Sequence, residues 1–216
     1  MKFVVQPGGQ FTGEHRVPGD KSMSHRAVML GSLAEGVTAV AGFLEGEDAL
    51  RTIAAFRQMG VAIEGPEAGS LTITGVGLYG LKAPDQALDL GNAGTGMRLF
   101  AGILAGQTFD SELVGDASLM QRPMGRVINP LSKMGARIDA LSEGRPPLVI
   151  SGGQSLQGIH YDLPIASAQV KSCVLLAGLY ARGRTSITEP APTRDHTERM
   201  LSGFGYDVDN TNGVIG

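Results

Sequence analysis

An α/β fold (α+β in the arrangement of its elements), built from three βαβαββ units around a pseudo-threefold axis, is predicted by three observations. Helical apolar periodicity recurs in pairs along the chain, each pair followed by short strand-like runs. Second helices end alike, at Met59-Gly60-Val61, Met134-Gly135-Ala136 and Phe204-Gly205-Tyr206. A further set of stops, Gly36-Val37-Thr38, Gly106-Gln107-Thr108 and Gly183-Arg184-Thr185, keeps the same register. Copies thus sit roughly 70–75 residues apart, longer than common solenoid repeats. Two helices on one small sheet cannot close a core, so three copies are expected to pack helix to helix.

The elements follow in order. Met1–Val5 and His15–Val17 have the composition of short strands around Gly8-Gly9. After Pro18-Gly19-Asp20-Lys21-Ser22-Met23-Ser24-His25-Arg26, the apolar positions Ala27, Val28, Leu30, Leu33 and Ala34 predict a helix stopped by Gly36. Strand Val37–Phe43 leads to a second helix with the apolar face Leu50, Ile53, Ala54, Phe56 and Met59, then to strands at residues 61–63 and 71–73. The second copy opens on a strand-like run, Ala87, Leu88 and Leu90. It continues with helix Met97–Leu104, strand Phe109–Val114, helix Arg122–Met134, and strands Ala136–Ile138 and Leu148–Ile150. The third has helix Gln169–Ala181, strand Thr185–Thr188 and helix Arg194–Phe204. Asn212-Gly213 is a hairpin turn signal shortly before Gly216, so the chain is expected to be cut inside its last hairpin. The units run over about 18–80, 81–153 and 154–216, the last one truncated.

Composition narrows the function. The 216 residues suffice for a buried core, and a net charge of −3 offers no basic field for nucleic acid or a membrane surface. The one cysteine, Cys173, excludes an internal disulfide and any multi-cysteine metal site. Apolar runs such as Val174–Leu179 are too short to span a bilayer, and the N-terminus carries no apolar signal segment. A soluble cytoplasmic protein without metal is expected. With 32 glycines and no tryptophan, its core is aliphatic and its turns many.

Candidate chemistry gathers at the starts of the first helices. Leu90-Gly91-Asn92-Ala93-Gly94-Thr95-Gly96-Met97-Arg98 places glycines where backbone can approach a ligand, followed by a helix N-terminus and an arginine. The other copies offer Lys21-Ser22 with Arg26, and Ser167-Ala168-Gln169 with Lys171. Arg122, before Pro123 at an expected first helical turn, and Arg194 in Thr193-Arg194-Asp195-His196-Thr197-Glu198 come from the second helices. Around a pseudo-threefold axis these N-termini meet on one rim suited to a small phosphorylated polyanion. Cations at a helix N-terminus oppose its dipole, so Lys21, Arg98 and Arg122 imply a compensating anion. Asp48, Asp116 and Glu198 either orient the arginines or serve as N-terminal helix acids. His25 is expected to be a packing or hydrogen-bonding residue, and Cys173 a buried inert thiol.

Several of these segments resemble the 5-enolpyruvylshikimate-3-phosphate (EPSP) synthase family. They are Lys21–Ala27, Gly91–Arg98, Gly115-Asp116-Ala117-Ser118-Leu119 and Arg122-Pro123-Met124-Gly125-Arg126. Ala166–Ser172 and Thr193–Glu198 resemble the bacterial class II variants. The resemblance implies one lobe of the two-lobed enolpyruvyl transferase fold, with residues 1–17 normally belonging to the other lobe. It implies transfer of the enolpyruvyl group of phosphoenolpyruvate to the 5-hydroxyl of shikimate 3-phosphate, with release of phosphate and without any cofactor. It further implies that Lys21, Ser22, Arg26, Ser167, Ala168, Gln169 and Arg194 hold shikimate 3-phosphate. Lys21, Gly94, Arg122 and Gln169 would contact phosphoenolpyruvate, with Lys21 also serving catalysis, while Asn92, Thr95 and Arg98 shape that pocket. Glycine at position 94 implies glyphosate sensitivity in a full-length enzyme. The family's acid–base carboxylates lie in a second half absent here, so this chain is expected to bind substrate as a monomer without turning it over. Two alternatives remain: the related transferase acting on UDP-N-acetylglucosamine, whose reactive cysteine sits on a flexible loop, and a non-catalytic repeat module.

Overall fold

The computed structural model describes residues 2–10 and 12–216. Its helices are α1 (Lys21–Leu33), α2 (Glu47–Gln58), α3 (Gly94–Ala105), α4 (Gly125–Lys133), α5 (Ala168–Gly178) and α6 (His196–Gly203). Its strands are β1 (Glu35–Ala41), β2 (Ala62–Glu67), β3 (Ser70–Val76), β4 (Leu88–Asp89), β5 (Ser111–Val114), β6 (Arg137–Leu141), β7 (Arg145–Ser151), β8 (His160–Asp162), β9 (Ser186–Thr188), β10 (Asn210–Thr211) and β11 (Val214–Ile215). Single 3₁₀ turns lie at Leu119–Gln121 and Ser142–Gly144.

The repeat is visible in strand order. The second sheet runs β4-β5-β7-β6 and the third β8-β9-β11-β10, with the first pair parallel and the others antiparallel in both. The first sheet, β1-β3-β2, has the same antiparallel part without a leading strand. Residues 2–5 and 15–17, where strands were expected, carry no strand pairing; Met1 lies outside the described residues. A strand is defined by its ladder, and apolar alternation without a partner does not make one. The last hairpin turns at Asn212-Gly213 as expected. The returning strand is also present, with Val214 and Ile215 opposite Thr188 and Ile187.

The first helices of the units, α1, α3 and α5, carry small residues and are buried on most sides. Gly31, Ser32, Gly102, Ser172 and Ala177 are among the residues that let them pack closely. At Gly102 a Cβ would fall onto the backbone carbonyl of Cys173, well inside van der Waals contact. Glycine there lets α3 and α5 touch backbone to backbone. Phe56 and Phe100 pack with ring centroids 4.9 Å apart, joining α2 to α3. The core is aliphatic, as composition requires, and Cys173 lies within it, its thiol pushed well above the usual range by burial.

Three helix starts differ from expectation. α3 begins at Gly94 rather than Met97, so Gly94, Thr95 and Gly96 form its first turn. α4 begins at Gly125, behind the N-cap Met124, which leaves Arg122 and Pro123 in the preceding link. A 3₁₀ turn at Leu119–Gln121 comes just before this link, and its C-cap Arg122 is extended rather than helical. Similarly α6 starts at His196, with Arg194 just ahead of it.

Candidate anion-binding rim

Side-chain bonds tie the helix N-termini together at one end of the molecule. Gln169 Nε2, in the first turn of α5, donates to Thr95 Oγ1 of α3 at 2.8 Å. The Lys21 ammonium at the start of α1 pairs with Asp48 in the first turn of α2. Arg194 NH1, ahead of α6, donates to Ser22 Oγ at 3.3 Å. His25 Nδ1 lies 2.7 Å from Thr52 Oγ1, and a Cβ on Gly96 would touch the His25 ring at 3.8 Å, which joins α1, α2 and α3.

Three guanidinium groups lie around the start of α3. Arg98 NH1 donates to the Gly94 carbonyl at 3.0 Å, and Arg122 donates to Asn92 Oδ1 and, at 3.4 Å, to Ser118 Oγ. A Cβ built on Gly94 would stand 3.0 Å from NH1 of both arginines. Burial, with Arg122 and Arg126 as charged neighbours, lowers the Arg98 pKa from its ordinary value. Among the described residues no carboxylate forms an ion pair with Arg98 or Arg122. Asp116 acts one step removed. It accepts from Asn92 Nδ2 at 2.8 Å and from the Leu119 amide at 2.7 Å, and so aims Asn92 Oδ1 at Arg122. The Asn92 bond is the chief cause of a lowered Asp116 pKa. Half-buried, like-charged donors without an acid partner suit an incoming anion.

A second polar recess of about 490 Å³ opens on α5. It is lined by Ala166, Ser167, Ala168, Gln169, Thr193 and Arg194. Ser167 caps α5, its hydroxyl accepting from the Val170 amide at 3.4 Å. The opposite wall is fixed by Glu189, which accepts from the Thr193 amide at 3.4 Å and from the Thr193 hydroxyl.

The structure separates residues that the sequence grouped together. Lys171, expected among the anion-facing residues, is 1% exposed and pairs with Glu189 at 2.8 Å and Glu198 at 2.6 Å. Four residues beyond the α5 N-cap Ser167, its side chain runs inward between α5 and α6. Glu198 therefore serves Lys171, Asp48 serves Lys21, and only Asp116 orients an arginine. Arg26 is also buried: Nε donates to Thr197 Oγ1 at 2.6 Å, NH2 to Ser172 Oγ at 2.7 Å and NH1 to the Ser22 carbonyl at 2.9 Å. Burial lowers its pKa to about 10, against the charge of Glu198. Ser172 and Thr197 are themselves bonded at 2.7 Å, the counterpart of the His25–Thr52 pair in the first unit. Sequence spacing carried no signal for Arg126, Glu189 or Thr197 at this end, because their places depend on how three units meet.

Three repeated α/β units, the first without its leading strand, with their helix N-termini and guanidinium groups on one rim, have the build of one lobe of the enolpyruvyl transferase fold. A family model described as EPSP synthase (3-phosphoshikimate 1-carboxyvinyltransferase) matches residues 5–215, and the chain belongs to that family. It is 67% identical over 208 residues to a 3-phosphoshikimate 1-carboxyvinyltransferase of Hydrogenovibrio crunogenus, covering 96% of this chain and 47% of that one. A protein of the same name from Methylococcus capsulatus is 68% identical over 206 residues, covering 95% and 47%. A solved EPSP synthase from Acinetobacter baumannii superposes with a TM-score of 0.92 at 62% identity, over 94% of this chain and 46% of that chain. The chain spans about half the length of the curated relatives it matches. No helix among the described residues is long and apolar enough to cross a membrane.

Proposed function

We propose that this chain is the shikimate 3-phosphate-binding lobe of an enzyme that transfers the enolpyruvyl group of phosphoenolpyruvate to the 5-hydroxyl of that cyclohexene carboxylate. The observation that carries this reading is the guanidinium pair Arg98 and Arg122 flanking Gly94 with, among the described residues, no carboxylate in an ion pair to either. Ser167, Ala168, Gln169 and Arg194 hold shikimate 3-phosphate in the recess on α5, with Lys21 and Ser22 beside them. Phosphoenolpyruvate sits against Gly94, Arg122, Lys21 and Gln169, in a pocket shaped by Asn92, Thr95 and Arg98. Lys21 gives up Asp48 to whichever anion arrives.

Both substrates are anions, so fixed cations and helix dipoles offset their mutual repulsion and stabilise charge as the bond to the 5-hydroxyl forms. Arg26 acts through its neighbours, since its side chain already bonds Ser22, Ser172 and Thr197. We assign residues 1–17 to the other lobe, and turnover to the enzyme with both lobes, as a cytoplasmic monomer without metal or cofactor.

Calorimetric titration of the 216-residue chain with shikimate 3-phosphate tests the reading. Binding is expected, lost in Ser167→Ala combined with Arg194→Ala, and unaccompanied by product when phosphoenolpyruvate is added. A folded chain with no affinity for shikimate 3-phosphate refutes the preformed site, and product formation refutes the division of labour.

A further inference from the structure

The pseudo-threefold repeat makes three junctions between units, and two of them are closed in the same way. After β3, the chain sends Leu81 into the core, and the next amide, Lys82, donates to the Met59 carbonyl at the end of α2 at 3.0 Å. After β7, Leu156 is buried and the next amide, Gln157, donates to the Met134 carbonyl at the end of α4 at 2.8 Å. The Leu156 carbonyl also accepts from the Arg182 amide at 2.9 Å, just past α5, so the segment bridges the end of one unit and the first helix of the next. Met59, Met134 and Phe204 hold the same place in their units, each followed by a glycine with positive φ.

The third junction is open. Between the ends of α1 and α6 lies an apolar groove of about 520 Å³, lined by Leu30, Leu33, Val37, Leu201, Phe204 and Tyr206 among others. Among the described residues no amide donates to the Phe204 carbonyl. Val37, Phe204 and Tyr206 are 69%, 39% and 48% exposed, an unusual exposure for large apolar side chains grouped on one groove.

We propose that this groove is the seat of an apolar side chain carried by the segment that continues from Gly216 in full-length enzymes, whose following amide donates to the Phe204 carbonyl. Both internal precedents are continuations of the hairpin strand of the preceding unit, which favours this occupant over a separate partner. The reach agrees. Leu71, Leu148 and Ile215 are equivalent buried strand residues, pairing with Val40, Leu113 and Ile187. Leu81 and Leu156 lie ten and eight positions beyond the first two, which puts the occupant about eight to ten residues past Ile215. Asp209 and Gly216 exchange two backbone bonds at 3.0 Å, so the ladder already aims the chain along this path. The relatives, about twice as long, have chain to supply it.

The test appends to Gly216 the chain's own residues 150–157, Ile-Ser-Gly-Gly-Gln-Ser-Leu-Gln, which places a leucine at position 223. The comparison proteins are the unextended chain and the same extension with serine in place of that leucine. The leucine extension is expected to raise Tm by about 3–6 °C and to abolish binding of an environment-sensitive apolar dye. The serine version is expected to match the unextended chain. Equal behaviour of the two extensions, or dye binding undiminished by leucine, overturns the proposal. Sedimentation of the unextended chain supplies a second arm, since a dimer dissociated by Phe204→Ser would make a second copy the occupant and overturn it as well.

Discussion

Removing the Lys171 ammonium is expected to unfold much of what joins the third unit to itself. Lys171→Met keeps the length and apolar stem of the side chain and deletes its charge. It leaves Glu189 and Glu198, whose side chains are 7% and 12% exposed, facing one another without their common partner. Breaking a buried pair by removing one member costs about 3–5 kcal/mol, because the carboxylates left behind lose their direct partner in a place little reached by water, with Arg26 only a neighbouring charge to Glu198. Against a typical domain stability of about 5–15 kcal/mol this is a large fraction, and for a chain of this size it lowers Tm by about 6–20 °C. Urea unfolding at neutral pH, followed by circular dichroism, reads the difference as a shift in midpoint at constant slope. Adding Glu189→Gln and Glu198→Met to the same protein is expected to recover part of the loss, since both stranded charges are then gone. A loss below about 1 kcal/mol in the single variant would falsify the argument, because solvent would then have to reach the cluster.

Other outcomes follow from the same contacts. Gly102→Ala drives a methyl group into the Cys173 carbonyl, a backbone atom that cannot step aside, and is expected to cost about 3 kcal/mol or more in urea unfolding. Gly94→Ala places its methyl 3.0 Å from two guanidinium groups that can shift, so stability is expected to hold. In a full-length enzyme, the same change should raise KM for phosphoenolpyruvate and weaken glyphosate about tenfold or more. His25 is fully buried, and burial lowers its pKa from 6.5 to about 4, Asp48 opposing while Lys21 and Arg26 assist. The unfolded chain therefore binds the extra proton first as pH falls. Stability contributed by neutral His25 is present above pH 6.5 and declines towards pH 4, by on the order of 3 kcal/mol in total. His25→Asn should flatten that part of the stability–pH curve, and an unchanged slope would assign it to other groups.

Much of the fold was legible because each unit obeys local rules. Glycine stops at Gly36, Gly60, Gly135, Gly183 and Gly205 all adopt positive φ, so the residue type and the backbone demand coincide. Apolar spacing located all six helices, and Asn212-Gly213 marked its turn correctly. The departures arise where the outcome is decided at a distance. Lys171 and Arg26 sit at helix starts in the sequence, where a cation suggests a ligand. Only the packing of α6 against α5 and α1 reveals that Glu198 and Thr197 meet them first. Arg122 was legible as a free cation but not as the end of a chain running from Asp116 through Asn92. β8, three residues long and paired to β9, carried too little alternation to stand out.

The contact of α3 and α5 at Gly102 sets a gauge for the whole rim. Two helical turns separate Gly102 from Gly94, about 12 Å along the axis. Both helices are stiff over that span, and Gln169 and Thr95 close their upper ends with a single 2.8 Å bond. The bundle therefore behaves as a caliper whose jaws are fixed by a residue with no side chain at all. A small change of thickness at the waist tilts the jaws and alters the width offered between Gly94 and Ser167. If the rim takes anions as proposed, their size is gauged partly in glycine, well below the surface they would touch.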